Sequence, residues 1–426
     1  MGLAYAVRTP TWQNPDEPAH FNYVRHIGEG DGLPVLREGD YNQAYLSELT
    51  SAKFPPDMPV DSLRYESHQP PLYYALASPL YAVFSGAGER TQVLALRAFS
   101  VFLGVLLLVA AFALTRALFP RSGLLALAVP GFIALLPQHA AMSAAVNNDT
   151  LGELLVTVVL LLLVLALRRR PEMVPSWRAA ASPAVFLLGV TLALVLLTKT
   201  TAYAVFGAVG VAYGWRWLWH RRAGGQLARE LALLMLITVL LSGWWFGRNM
   251  ATYGATDPAG LERHDQVVAE QPRTGDFDAA AAKRFVRVGF KSFWAQLGWM
   301  AVPADDRLYP LLGLVTGGAA LGLVLAGVGS RRAAPDFALT KEQWAGLSLL
   351  AVTLVLVFLE WFGYNLRYIQ TQGRYLFPAI APIGVFFALG MRRLLGWPSR
   401  VPLFVALYAG LFAVDLYVLL RLVPQL

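Results

Sequence analysis

The feature that most restricts how this chain can fold is where its charges are missing. Stretches such as Val101–Leu114, Leu154–Leu167 and Leu231–Leu241 hold no ionisable side chain and lie inside longer apolar segments. A helix crossing a bilayer needs about 20 apolar residues. No water reaches the hydrocarbon to satisfy open backbone groups, so such segments have to be helical. Composition agrees: 56% of the 426 residues are hydrophobic and 15% charged, where a soluble domain would carry roughly 25% charged. The expected class is an all-α, polytopic transmembrane protein.

Ten full spans are expected, near residues 92–116, 122–142, 149–167, 181–198, 202–219, 230–248, 308–328, 345–363, 373–391 and 401–421. They form one domain over 1–426, broken by two long polar segments, 8–91 and 249–307. Gln69–Gly86 is apolar but short and proline-rich, and topology arbitrates its placement. If it does not span, alternate loops carry Arg116 and Arg121; Arg168, Arg169, Arg170 and Arg178; Arg221, Arg222 and Arg229; Arg331, Arg332 and Lys341; and Arg392, Arg393 and Arg400. The opposite short loops hold little beyond Lys199 and Arg367. That is a positive-inside pattern. It makes Gln69–Gly86 an interfacial helix and puts both polar segments on the outer face as juxtamembrane loops. Met1–Val7 is an apolar stub running straight into the first outer loop, and the expectation is that a first span has been shortened there.

The net charge of +8 does not indicate nucleic acid, because most Lys and Arg fall in short loops and form no basic patch interleaved with exposed aromatics. The absence of cysteine excludes disulfides, thiolate metal sites and a cysteine nucleophile.

Chemistry-bearing residues gather in the outer segments. In Asn14-Pro-Asp-Glu-Pro-Ala-His-Phe-Asn-Tyr-Val-Arg, Asp16 suits an N-cap and Pro18 the first helical turn. Asp16 and His20, four apart, share a helix face. Glu66-Ser-His-Gln-Pro-Pro-Leu-Tyr-Tyr closes the same loop, with Tyr73 and Tyr74 as expected interface anchors. Asp149 and Glu153, one turn apart, make a second acidic cluster. Lys199, Arg248 and Arg374 stand at outer span ends, against the positive-inside bias. Charges inside spans usually face a polar interior, and for Glu360 and Asp415 structural ion pairs are expected. Lys283-Arg-Phe-Val-Arg-Val-Gly-Phe-Lys-Ser-Phe-Trp in the second outer loop has the mixed basic and aromatic content of an amphipathic surface helix. Outer cations beside carboxylates at headgroup height suit a lipid-borne phosphate, with an acid serving as base.

Five segments in order, P-D-E-P-x-H-x-x-Y at 15–23, H-Q-P-P-L-Y-Y at 68–74, W-x-x-R-N at 245–249, F-W-x-x-x-G-W at 293–299 and Q-G-R-Y-L-x-P at 372–378, resemble the GT-C superfamily. These are polyprenyl-phosphate-sugar-dependent membrane glycosyltransferases, including protein O-mannosyltransferases and lipid A aminoarabinose transferases. The resemblance implies a GT-C-like fold and transfer of a sugar from a polyprenyl-phosphate carrier to a cell-envelope glycan, lipid or protein. It implies an outward-facing site in a bacterial inner membrane. Asp16 would be the catalytic base with Glu17 its neighbour, and Asp149 and Glu153 the second acidic cluster. Arg248, Arg374, Lys199, His68, Glu66, Gln372 and Tyr375 would bind substrate and phosphate. Some relatives use a divalent metal, for which Asp16, His20 and Asp149 are the candidate ligands. The rival class is a transporter or flippase, which predicts midplane polar residues and broken helices in paired halves; here the charges cluster toward one face.

Overall fold

A computed structural model describes residues 1–329, 339–396 and 401–426. Arg331, Arg332 and Arg400 of the expected basic loops lie outside these residues. The first outer segment folds as α1 (Gly2–Arg8), α2 (Glu17–Gly28), α3 (Gln43–Ser51) and α4 (Leu72–Val83). The bundle follows with α5 (Glu89–Leu118), α6 (Gly123–Ala134), α7 (Pro137–Met142), α8 (Asp149–Leu167), the short α9 (Trp177–Ala180), α10 (Pro183–Leu196), α11 (Val205–Trp219) and α12 (Gly224–Tyr253). The second outer segment holds α13 (Leu261–Val267), α14 (Ala279–Trp294) and a hairpin of β1 (Gln296–Leu297) and β2 (Val302–Pro303). The chain ends with α15 (Leu308–Gly329), α16 (Lys341–Asn365), α17 (Ile380–Leu394), which a 3₁₀ turn over Gly373–Ala379 precedes, and α18 (Val401–Tyr417).

Among the described residues, 7 helices are long and apolar enough to cross a membrane. The expected spans at 122–142, 181–198 and 202–219 carry shorter helices. In the first of these, Pro137 excludes the α conformation from the residue before it. Leu136 is accordingly extended, at ψ 107°, and α6 and α7 separate there. The third range begins as a 3₁₀ turn over Thr200–Ala204 before α11 takes over. The 12 residues of α4 rise about 18 Å, short of the roughly 30 Å hydrocarbon layer. It packs on α2 and α5. Tyr73 and Tyr74 are not interface anchors: both are fully buried, Tyr73 against the Ser100 hydroxyl at 2.9 Å.

α8 is the central helix, packed on α5, α10, α11 and α16 and burying Leu151, Val156, Val159, Leu160 and Leu163. The outer helices turn Val109, Leu240, Leu314 and Val405 outward, which a lipid solvent permits at no cost. Helices in lipid associate through close packing of small residues. At α15 and α17 this is extreme: a Cβ on Gly322 would lie 1.9 Å from the Gly390 carbonyl oxygen, and one on Gly390 would lie 2.0 Å from that of Ala319. α14 is amphipathic as expected, with Phe285, Gly289 and Ser292 buried and Lys283, Arg284 and Arg287 exposed. The ion pairs expected for Glu360 and Asp415 are absent among the described residues. Glu360 is exposed, and Asp415 accepts a 2.8 Å hydrogen bond from the Tyr5 hydroxyl of α1.

Candidate active site

The starts of α2, α8 and the 3₁₀ turn before α17 meet the end of α10 at one end of the bundle. Asp16 occupies the N-cap position of α2 in the left-handed region, at φ 66°, a conformation that Asp tolerates better than most residues. Its carbonyl starts the helix by accepting from the His20 N–H. Its side chain does not cap the helix as expected. One carboxylate oxygen instead accepts from the Tyr65 hydroxyl at 2.9 Å, and the other from the Arg374 guanidinium.

Arg374 links two carboxylates. Its Nη2 donates to Asp16, its Nη1 lies 4.0 Å from Asp149 Oδ2, and its Nε donates to Gln372 Oε1 at 2.6 Å. Asp149 in turn is paired with Lys199, whose ammonium also donates to Asn148 Oδ1 at 3.2 Å. The result is one chain of alternating charge, Asp16–Arg374–Asp149–Lys199. Two anions offset two cations, so no charge in the chain is left uncompensated as it is withdrawn from water. Arg374 is 8% exposed while Asp16, Asp149 and Lys199 are 23%, 17% and 16% exposed, so a ligand reaches the cluster from its Asp16 and Lys199 ends. A small pocket opens between Asp149, Glu153, Lys199 and Arg374.

Local structure explains the precision. The Gly373 N–H donates to Ser292 Oγ of α14 at 2.7 Å. A Cβ at Gly373 would meet the Gly289 carbonyl oxygen at 2.2 Å, so only glycine lets the turn before Arg374 lie on α14. Asn148 donates to the Thr198 carbonyl at 3.0 Å, holding the end of α10 so that Lys199 faces Asp149. The Arg374 guanidinium also lies over the Tyr375 ring, 5.5 Å from its centroid.

Burial alone would raise the Asp16 carboxyl, but the Arg374 charge and hydrogen bond outweigh it and hold the group below the usual carboxylate range. Burial, then the Asp16 charge, pushes the Tyr65 phenol well up, so it remains a donor. Burial lowers His20 against the opposing charge of Glu66, and its Nδ1 is 2.8 Å from the Tyr74 hydroxyl. His68 is lowered by burial and by His264. Its Nδ1 lies 3.0 Å from the Tyr65 carbonyl, which only accepts, so that nitrogen carries the proton. Glu66 Oε2 is buried with no hydrogen-bond partner.

Two expected members lie elsewhere. Glu17 is fully buried and forked onto Arg97, at 2.8 Å and 2.6 Å, and also accepts from the backbone N–H groups of Val146 and Trp12. It ties α2 to α5 and faces away from the cluster. Arg248 donates to the carbonyls of Leu33 and Pro34 and has no carboxylate partner among the described residues. Glu153 sits behind Asp149, 2.8 Å from His139. Tyr65, Asn148 and Ser292 escaped the sequence reading because each acts across more than 45 residues of chain, with only the ordinary signal of a polar residue near an apolar segment.

The proposed metal set is not assembled: no group of three or more His, Asp or Glu is placed to hold a metal among the described residues. Asp16 is engaged by Tyr65 and Arg374, Asp149 by Lys199 and Arg374, and His20 by Tyr74. A guanidinium already occupies the position between the two carboxylates, so these residues do not fit a metal.

No family model matches the chain, and no curated protein matches by sequence. Solved structures do match. ArnT from Cupriavidus metallidurans bound to undecaprenyl phosphate has a TM-score of 0.56 at 15% identity, over 95% of this chain and 61% of that one. The Archaeoglobus fulgidus oligosaccharyltransferase AglB, in complex with an inhibitory peptide and a dolichol-phosphate, has a TM-score of 0.52 at 13% identity, over 97% and 54%. The same oligosaccharyltransferase in complex with Zn and sulfate has a TM-score of 0.50 at 14% identity, over 97% and 52%. The chain thus spans a little over half the length of the proteins whose fold it shares.

Proposed function

We propose, on the premise that this chain has the fold of the GT-C membrane glycosyltransferases, that it moves a sugar from a polyprenyl-phosphate carrier to a hydroxyl of a cell-envelope glycan, lipid or protein, inverting the anomeric carbon. The observation that carries this reading is the chain Asp16–Arg374–Asp149–Lys199 at one end of the bundle. A sugar linked through phosphate to a polyprenol is a phosphodiester with one negative charge. When the anomeric C–O bond breaks, the carrier leaves as a monoester with a second charge developing. Arg374 and Lys199 therefore hold the leaving group more tightly in the transition state than in the ground state, the condition for acceleration. The acceptor oxygen forms the new bond to the anomeric carbon, and its proton passes to Asp16.

Paired with Arg374, Asp16 is a weak base. The donor phosphate competes for the same guanidinium, and as Arg374 turns to the phosphate the Asp16 carboxylate gains proton affinity where the acceptor arrives. Gln372 orients the Arg374 Nε. Glu66, whose free oxygen would repel a phosphate, suits a hydroxyl of the sugar or acceptor. The ArnT structure bound to undecaprenyl phosphate and the AglB structure with dolichol-phosphate support a lipid-phosphate ligand. In this reading the site faces outward from a bacterial inner membrane, since the cation-rich loops gather at the other end of the helices.

The test is transfer from a panel of polyprenyl-phosphate sugars by wild type and Asp16→Asn in proteoliposomes, with and without chelator. Wild type transfers from one donor or a few, and Asp16→Asn inserts normally but transfers about 10²–10⁴-fold more slowly. Full activity in Asp16→Asn would remove the base.

A further inference from the structure

Of the helices that meet at the acidic cluster, α8 and α17 reach, at their far ends, a cavity of about 1540 Å³ that the proposed transfer does not use. Its described walls carry six cations, Arg121, Arg168, Arg170, Lys341, Arg392 and Arg393, against the single carboxylate of Glu342. The Lys341 ammonium lies over the Trp219 ring, 5.3 Å from its centroid, and 3.9 Å from Glu342. Arg168 donates to the Ala117 carbonyl. The cations come from the ends of α6, α8, α16 and α17, so a single anion at the mouth meets charge from several helices at once.

The cavity is also deep. Its wall reaches Ala351 of α16, ten residues past Lys341, or about 15 Å along the helix axis. Leu323 of α15 and Phe386 of α17 line this inner part. A cationic mouth above an apolar throat between membrane helices has the form of a site for an amphiphile with an anionic head. Loop composition alone explains an excess of Lys and Arg on one side, but not their convergence on one cavity with an apolar throat. Basic pockets between membrane helices hold phosphate-bearing lipid heads elsewhere.

We infer that this cavity is a second lipid site, on the face opposite the acidic cluster, which takes a membrane lipid with a phosphate-bearing anionic head and seats its chain along α15, α16 and α17. The site stands whether or not the chain transfers sugars. Both an anionic glycerophospholipid and a polyprenyl phosphate present this chemistry.

The test measures binding by the full chain in neutral detergent, by native mass spectrometry, of phosphatidylglycerol, polyprenyl phosphate, phosphatidylcholine and inorganic phosphate. An Arg374→Gln/Lys199→Gln background removes the outer cluster's claim on phosphate. Binding of phosphatidylglycerol, polyprenyl phosphate or both, at least tenfold tighter than phosphatidylcholine, supports the site and identifies its source. At about 1 kcal/mol per cation near an anionic head, Arg168→Gln/Arg170→Gln/Lys341→Gln weakens that binding about a hundredfold. Ala351→Trp plugs the throat with every loop charge intact, so membrane orientation is untouched, and it produces a loss of the same order. Binding unchanged in both variants overturns the site, and phosphatidylcholine held equally well overturns recognition of the head. Inorganic phosphate held as tightly as the lipids overturns the seat for a chain.

Discussion

Asp16 and Glu17 are adjacent acids with opposite fates. Glu17 is sealed at 0% exposure, with four donors from Arg97, Val146 and Trp12 on its two oxygens. Asp16 is 23% exposed and shares a guanidinium with a second carboxylate. Both have an arginine partner, so pairing does not separate a structural acid from a chemical one. What separates them is whether the arginine has anything else to do. Arg97 spends its remaining donors on the carbonyls of Ala6, Thr9 and Pro10. Arg374 is stretched between two anions at the edge of a small pocket, where in the proposed reading a phosphate competes for it.

The largest expected effect falls on the open member of the contrast. On the proposed mechanism Asp16→Asn lowers transfer by about 10²–10⁴-fold, the usual contribution of a general base, while thermal stability in detergent falls less than in Glu17→Gln, because Arg374 keeps Asp149 as a partner. Equal losses of activity and stability would merge the two acids into one class. Glu17→Gln does the reverse. It leaves the Arg97 charge buried and uncompensated, at a cost of about 3–5 kcal/mol, visible as a lowered Tm and poor recovery, while the surviving folded protein transfers at nearly the wild-type rate. On the proposed mechanism Lys199→Met removes one of the two cations assigned to the leaving phosphate and lowers kcat by about 10²–10³-fold; a change confined to KM would mean that Lys199 binds donor and transition state alike.

The smallest effect is in pH dependence. Arg374 holds Asp16 below the ordinary carboxylate value, so its pairing stabilises the fold fully above the unfolded pKa of about 3.9 and is lost as pH falls through the lower folded value. Wild type therefore loses more stability than Asp16→Asn on acidification below about pH 4. In transfer, the acid limb of kcat/KM reports the free enzyme and that of kcat the donor complex. With donor phosphate drawing Arg374 away, the kcat limb lies at the higher pH. Coincident limbs would show that donor binding leaves the Asp16–Arg374 pair intact.

Much of this was legible along the chain. Apolar length alone marked α5, α8, α12, α15, α16 and α18 as spans, because a bilayer imposes one length and one backbone conformation on whatever crosses it. Asp149, Lys199 and Arg374 are legible as charges at span ends, where charge is costly, and Asp16 from its acidic segment in the first outer loop; Arg248 carries the same signal and yet binds the carbonyls of Leu33 and Pro34 instead. The burial of Tyr73 and Tyr74 is not legible in the sequence, since an amphipathic ring at a helix start suits a lipid interface and a protein interior equally well.

The sequence by itself determined that this is a helical membrane protein with acids and cations at the ends of its spans, because burial in hydrocarbon is a local constraint that every segment meets alone. Only the tertiary structure decided which acid meets which cation. That choice rests on the left-handed backbone at Asp16, on the contact that only glycine permits between residue 373 and α14, and on Arg97 reaching Glu17 from α5. The last two join segments distant in the chain, and charge pairing over such distances follows from packing rather than from local pattern.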